Sequence, residues 1–335
     1  MGDVSFAKFY DFCDNGSKYK GIQPGNRMKG LVTKSTGSWY EVLADDGSTY
    51  NSRIKGKFRT KDIKTTNPIA VGDWVDITLE AGAMAKTAII VHLHERRNYI
   101  IRKSINLSKQ AQIIAANLDQ AFLVVTLASP FTSLGFIDRF LVTAEAYDIP
   151  AGLIFNKLDL FSEEGLTILR DYETIYQNIG YPCHEVSALK GINIETFKDL
   201  LQDKTTLISG HSGVGKSTLI NAIHPEAGLR TAAVSEWSDK GKHTTTFAEM
   251  FLLPFGGQLI DTPGIRELGI IDIEQQELGH FFPEMRALMN DCRFNNCRHI
   301  NEPGCAVLTA LREGKIAPSR YESYLSIYHG NDTRT

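Results

Sequence analysis

From Gly30 onward the chain reads as a series of short strands. Leu31-Val32 and Trp39-Tyr40-Glu41-Val42-Leu43 lead into a turn at Asp45-Asp46-Gly47-Ser48. Strict alternation over Val75-Asp76-Ile77-Thr78-Leu79-Glu80 puts Val75, Ile77 and Leu79 on one face of a strand, and Ala88-Ile89-Ile90-Val91 is another. Roughly 65 residues with these strand signals and no helical period fit a small barrel, the OB-fold among several. From about Gln120 the pattern changes. Phe122-Leu123-Val124-Val125-Thr126-Leu127 is a near-continuous apolar run, as a strand covered on both faces requires. Ile137, Phe140, Leu141 and Ala144 then recur at helical spacing. Strands are predicted over 151–155, 183–186 and 206–209, with helices over 163–178 and 194–202 between them. This alternation predicts a doubly wound α/β domain with a mainly parallel sheet, ending near Ile271. The remainder reads as mostly helical, apart from a cluster of cysteines.

Composition narrows the class. With 335 residues, two or three domains of ~100–200 residues are expected. Hydrophobic residues at 42% and charged residues at 22% exclude a disordered or collagen-like chain. Apolar runs all fall short of the ~18 residues of a membrane span, and Met1 to Lys20 lacks the apolar core of a signal peptide, so a cytoplasmic protein is expected. Gly16, Gly21, Pro24 and Gly25 make residues 1–25 read as a flexible leader. Charge is unevenly spread. Residues 1–115 hold 18 Lys and Arg against 11 Asp and Glu, whereas the rest holds 18 against 28. Arg53, Lys55, Lys57, Arg59, Lys61 and Lys64 lie among the strand signals, so the basic front suits a polyanion, or is simply a solvated surface.

Gly210-His211-Ser212-Gly213-Val214-Gly215-Lys216-Ser217 matches G-x-x-x-x-G-K-[ST], follows a predicted strand and opens a helix at Thr218. In such a loop backbone N–H groups surround phosphates, Lys216 reaches the β- and γ-phosphates, and Ser217 ligates Mg²⁺. The loop alone does not separate ATP from GTP. Asn156-Lys157-Leu158-Asp159 supplies that distinction, because it stands directly after a strand, where an N-K-x-D tetrad reads guanine. Asp159 accepts from guanine N1–H and N2–H₂, adenine offers neither donor, and the carboxylate would be left unpaired. Lys157 covers the base and Asn156 braces the loops. Ser187-Ala188-Leu189 occupies the place of the S-A-x segment that offers a backbone N–H to guanine O6. Asp261-Thr262-Pro263-Gly264 is D-x-x-G, with Asp261 toward Mg²⁺ and the Gly264 N–H sensing the γ-phosphate. Upstream, Lys240-Gly241-Lys242-His243-Thr244-Thr245-Thr246 supplies a switch threonine, for which Thr245 is favoured, toward Mg²⁺ and the γ-phosphate.

The order of these elements is informative. GTPases usually run from phosphate loop through switch threonine and D-x-x-G to N-K-x-D and S-A-x. Here N-K-L-D and S-A-L come first, so the domain is circularly permuted, as nearby termini permit. The second switch then feeds directly into the C-terminal segment. That segment carries Cys292-x₄-Cys297-x-His299-x₅-Cys305, three thiolates and one imidazole, a set suited to a closed, structural tetrahedral Zn²⁺ site. Cys13 and Cys183 stand apart as ordinary thiols.

A basic OB-like front, a permuted GTPase and this cysteine–histidine spacing together resemble the RsgA (YjeQ) family of circularly permuted GTPases over about residues 28–325. The resemblance implies a bacterial GTPase acting late in small ribosomal subunit maturation, with hydrolysis slow alone and stimulated by the subunit. Its barrel and zinc domain would contact ribosomal RNA, GTP and GDP would be its nucleotides, and a monomer is expected. The expected division is a leader at 1–25, an OB-fold RNA-binding domain at 26–110, the permuted GTPase domain at 111–271 and a zinc-binding helical domain at 272–335. Ile265 occupies the place where many GTPases keep a water-orienting glutamine, and it cannot hydrogen-bond. His243 is the candidate for that task, a role the resemblance favours, with Thr245 and Lys216 completing the catalytic set. The competing readings are an RNA-binding nucleotide sensor with negligible turnover, which Ile265 also fits, and a P-loop ATPase or kinase, against which Asp159 argues.

Overall fold

The computed structural model describes residues 27–54, 68–80, 86–103, 111–229, 248–262 and 273–330. The first five strands are β1 (Arg27–Ser35), β2 (Tyr40–Ala44), β3 (Thr49–Ile54), β4 (Trp74–Leu79) and β5 (Thr87–Leu93). β1, β2 and β3 form an antiparallel meander, β3 pairs parallel with β5, and β5 pairs antiparallel with β4. β4 returns antiparallel to β1 and closes a five-stranded barrel, the OB-type arrangement. Period-2 alternation fills it with Val32, Tyr40, Val42, Tyr50, Val75, Ile77, Ala88 and Ile90. Leu79, expected on the face of Val75 and Ile77, is instead 39% exposed, because β4 ends there, past the packed interior. At the barrel's end a buried Asp73 takes a bidentate pair from Arg96 and also accepts from the Ala70 N–H, which fixes the chain leaving β5. A hairpin of β6 (Tyr99–Lys103) and β7 (Ala111–Ala116) follows and bridges back to the barrel through Val71 and Ala115.

The second sheet region contains β8 (Gln120–Val125), β9 (Ala151–Phe155), β10 (Cys183–Glu185), β11 (Thr205–Ser209), β12 (Glu249–Leu252) and β13 (Gln258–Asp261). Their order is β10-β9-β8-β11-β13-β12, parallel throughout except for the β12–β13 pair. Alternation along β8 divides the core. Leu123 and Val125 pack with α1 (Leu134–Ala146) and α2 (Glu163–Ile179). Phe122 and Val124 pack with α3 (Ile194–Leu201) and α4 (Lys216–Ile223). Local signals set the helix ends: the Ser162 hydroxyl caps α2 at Gly165 N–H, and Gly180, at φ 108°, ends it. β1 also pairs with β12, so one continuous sheet of eleven strands runs from the α/β domain into the barrel.

The C-terminal region builds its own core from Leu278, Phe282, Met285, the cysteines, Val307, Tyr324 and Tyr328, joined by Val142 of α1. Its α-helices are α5 (Pro283–Arg286), α6 (Ala306–Arg312) and α7 (Pro318–Tyr328). A buried ionic network ties it to the α/β domain. Arg320, fully buried, donates to Asp138 on α1 at 2.8 Å and to Glu284 at 2.7 Å, and its guanidinium lies 4.7 Å from the Phe282 ring centroid. Tyr176 of α2 donates its hydroxyl to the same Asp138 oxygen.

Candidate active site

The phosphate loop leaves the carboxyl end of β11, where parallel strands of a doubly wound sheet open their crevice. Gly210, Gly213 and Gly215 all have positive φ, and a Cβ on Gly210 would meet the Val124 carbonyl at 2.6 Å. Gly215 precedes α4, so the helix N-terminus adds its partial positive charge to the loop. Lys216 is buried, and its ammonium donates to the carbonyls of Gly210 at 2.6 Å and His211 at 2.9 Å. Burial lowers its pKa, opposed by Asp261. His211 stacks on Phe136 of α1 with ring centroids 3.8 Å apart.

Asn156 joins three segments. Its Nδ2 donates to the Val214 carbonyl of the phosphate loop at 2.9 Å, and its Oδ1 accepts from the Ala188 N–H at 3.1 Å. The N-K-L-D tetrad, the S-A-L segment and the loop are thereby fixed to one another. Lys157, in the left-handed conformation at φ 66°, sends its ammonium to the Ser129 carbonyl at 2.7 Å, so its stem lies across the site. Burial lowers the Lys157 pKa, with Asp159 opposing. The Ser187 hydroxyl donates to Asp159 Oδ1 and also accepts from the Lys190 N–H. Asp159 is thus held in place by the segment that follows it in the site.

Asp261 ends β13 beside this loop. Its Oδ1 is buried with no hydrogen-bond partner, while the neighbouring Thr262 hydroxyl donates to the Ile208 carbonyl. Burial pushes the Asp261 carboxyl up, Lys216 opposes, and Glu249 adds to the rise. A buried carboxylate oxygen without a donor is suited to a cation and its water shell. His243, Thr245 and Gly264 lie outside the described residues, as do the leader and the basic run from Lys55 to Lys64.

Cys292, Cys297, His299 and Cys305 come together with all four ligand atoms within 4.8 Å of one another. His299 Nδ1 lies 3.6 Å from Cys292 Sγ and 3.4 Å from Cys305 Sγ, and those two sulfurs are 4.0 Å apart. A zinc tetrahedron built from its usual bond lengths has S–S edges of ~3.8 Å and S–N edges of ~3.6 Å, so the donor set fits. Two neighbours shape the loop. Glu302 accepts from the N–H groups of Arg298, Ile300 and Asn301, which overcome its burial and draw its pKa down to about 2. Tyr321 and Tyr324 of α7 donate to the carbonyls of His299 and Arg298. Burial raises the Cys297 and Cys305 thiols, so a cation is what favours their thiolates.

Comparison with known proteins agrees with this arrangement. The RsgA GTPase family matches residues 93–271, and the RsgA N-terminal domain matches residues 29–86. The chain is 54% identical to the small ribosomal subunit biogenesis GTPase RsgA of Christiangramia forsetii over 305 residues, 91% of this chain and 97% of that one. The chain belongs to the RsgA GTPase family. The Bacteroides fragilis RsgA is 53% identical over 300 residues, covering 90% of this chain and 96% of its own. Among solved structures, YjeQ from Thermotoga maritima superposes with a TM-score of 0.74 at 35% identity, covering 91% of this chain and 98% of that one. YloQ, described as a circularly permuted GTPase, gives 0.69 at 30% identity, with 95% and 99% covered.

Within this RsgA fold, several residues around the sites escape sequence reasoning. Trp39 and Trp74 are 45% and 40% exposed on the barrel, and Lys29 places its ammonium 4.6 Å from the Trp74 ring centroid. A tryptophan opening an alternating strand one residue before an inward Val75 was the available signal, since period 2 turns it outward. Ser129 and Phe136 gave no such sign, because their roles arise only when the loop before α1 meets the phosphate loop.

Proposed function

We propose that this chain is a GTP hydrolase that binds the small ribosomal subunit and assists its late maturation, converting GTP and water to GDP and phosphate. One observation carries the nucleotide part of this reading. Asn156 bonds simultaneously to the phosphate loop and to the S-A-L segment, so three motifs whose order in the chain is inverted meet at one residue, which supports their acting together on one nucleotide. The subunit part rests on family membership and on relatives named for small ribosomal subunit biogenesis. The exposed Trp39 and Trp74, with Lys29, suit stacking on unpaired bases and contact with phosphates.

In this reading Asp159 selects guanine, Ala188 offers its N–H to guanine O6, and Lys157 covers the base. The backbone from Gly210 to Thr218 wraps the phosphates. Ser217, Asp261 and Thr245 would hold Mg²⁺, which supplies charge neutralisation of the phosphates when bound; the unpartnered Asp261 Oδ1 supports that assignment. Lys216 balances negative charge spreading over the γ-phosphate. Gly264 senses that phosphate, and His243 orients the attacking water in place of glutamine. The ligand set Cys292, Cys297, His299 and Cys305 would hold a structural Zn²⁺ that fixes the C-terminal region. The division at 26–110, 111–271 and 272–335, a cytoplasmic location and a monomeric state complete the proposal. Among the described residues, no helix is long and apolar enough to cross a membrane.

Nucleotide-dependent cosedimentation tests the reading. With a non-hydrolysable GTP analogue the chain should pellet with purified small subunits and release with GDP. Equal pelleting under both conditions, or ATP displacing the guanine nucleotide, would count against it.

A further inference from the structure

The contact between the barrel and the α/β domain falls at a place no motif marks. β12 begins at Glu249, four residues after Thr245, and its partner β13 ends at Asp261, so this short strand lies between the two expected switch segments. The barrel strand β1 pairs antiparallel with β12 through Lys34 and Glu249, and Glu249 pairs across β12–β13 with Asp261. Asp261 in turn faces Ile208 on the strand that feeds the phosphate loop. Lys34, Glu249 and Asp261 therefore form one row of cross-strand neighbours with side chains on the same face of the sheet.

Side chains reinforce this row. The Lys34 ammonium sits 2.7 Å from Glu249 Oε1, each side chain being about one third exposed. Glu249 is the acidic neighbour of Asp261, whose Oδ1 has no hydrogen-bond partner. Leu31 of β1 packs in the same buried cluster as Met250 of β12 and Ile260 of β13, so the backbone contact has an apolar footing as well. A surface ion pair of this exposure adds little stability. Its position is what matters: it joins the barrel, with its exposed Trp39 and Trp74, to the strand that lies between the two expected switch segments.

We infer that Lys34 and Glu249 form a positioning pair that sets β12, and through it Asp261, according to how the barrel sits, so that RNA engaged by the barrel acts on the nucleotide site. This rests on the reading of the chain as a subunit-stimulated GTPase. Lys34 holds Glu249 toward the barrel and offsets part of the negative charge that Glu249 places beside Asp261. Tilting of the barrel on RNA would shift β12 in register with β1, and neither residue need touch nucleotide.

The test compares Lys34→Ala, Lys34→Glu, Glu249→Lys and the double charge swap in the full chain. GTP turnover is measured alone and with purified small subunits, alongside subunit affinity and thermal melting. Lys34→Ala should keep basal turnover and GTP affinity within twofold, melt normally and bind subunits normally, yet lose stimulation by about tenfold, within the usual span of coupling between sites. The single charge reversals should lose at least as much, and the double swap should restore most of it. Full stimulation of Lys34→Ala would overturn the inference. So would a loss matched by weaker subunit binding, which makes Lys34 an RNA contact, or a well-folded double swap without rescue. Absence of stimulation in the unaltered chain would instead remove the reading on which the inference rests, and the inference with it.

Discussion

In the proposed function Asp159 carries the nucleotide choice, and its surroundings suit that role. The Ser187 hydroxyl occupies one carboxylate oxygen and fixes the plane of the group, leaving acceptor capacity for two guanine donors. Asp159→Asn replaces an acceptor with a donor opposite guanine N1–H or N2–H₂. The loss of two charge-assisted bonds should weaken GTP by about a hundredfold or more. Xanthosine triphosphate, which presents a carbonyl in place of the exocyclic amine, should become the preferred ligand; displacement of a fluorescent guanine nucleotide by each triphosphate measures both changes. Asn156→Ala acts differently. It leaves the Val214 carbonyl and the Ala188 N–H unpaired, at about 1–3 kcal/mol each where buried, and it loosens the phosphate loop from the base readers. GTP and GDP should therefore weaken together, without a gain for xanthosine nucleotides in the same assay.

At the scale of elements, the parts easiest to read from sequence were those whose chemistry is local. The phosphate loop and the N-K-L-D tetrad each occupy a short consecutive run, the cysteine spacing lies within one short segment from Cys292 to Cys305, and period-2 and period-3.6 patterns located the strands and helices around them. The buried Arg320–Asp138–Glu284 network was not read, because its members lie far apart in the chain. A signal did exist. Asp138 interrupts the apolar stripe of Ile137, Phe140 and Leu141, and Arg320 stands in the i, i+4, i+8 row completed by Tyr324 and Tyr328. A charge in each of two buried stripes points to a pair. The Lys34–Glu249 contact had no comparable sign, since both residues look like ordinary solvated positions on short strands.

The cysteine cluster makes a prediction at this scale too. Its donors are fixed by α7 through Tyr321 and Tyr324, so metal and helix should order one another. Purified protein should contain about one zinc per chain by elemental analysis, as a single four-donor site requires. Cys297→Ser should abolish it and lower the melting temperature. The near-ultraviolet tyrosine signal should fall at the same time, because Tyr324 packs against Phe282 and Tyr321 stacks on Tyr324. A metal-free variant with unchanged tyrosine signal and melting would deny the cluster a structural role.

At the scale of the whole molecule, both flanking regions are tied to the α/β domain at elements of its nucleotide side. The barrel meets β12, and the C-terminal region meets α1, whose Phe136 stacks on His211 of the phosphate loop. Arg320→Ala would remove the buried guanidinium that Asp138 and Glu284 share. Asp138 Oδ2 already lacks a partner, so the variant should lose about 3–5 kcal/mol in urea unfolding. Truncation of the exposed Arg312 should change little by comparison, and that contrast checks that the buried network is responsible.

Hydrolysis by this chain is expected to answer to the small subunit. GTP turnover by the full chain, measured as phosphate release with small subunits, with large subunits and with free RNA, tests it directly. Strong acceleration by small subunits alone is the predicted result. Turnover that is unchanged by every partner, or raised equally by free RNA, would contradict it.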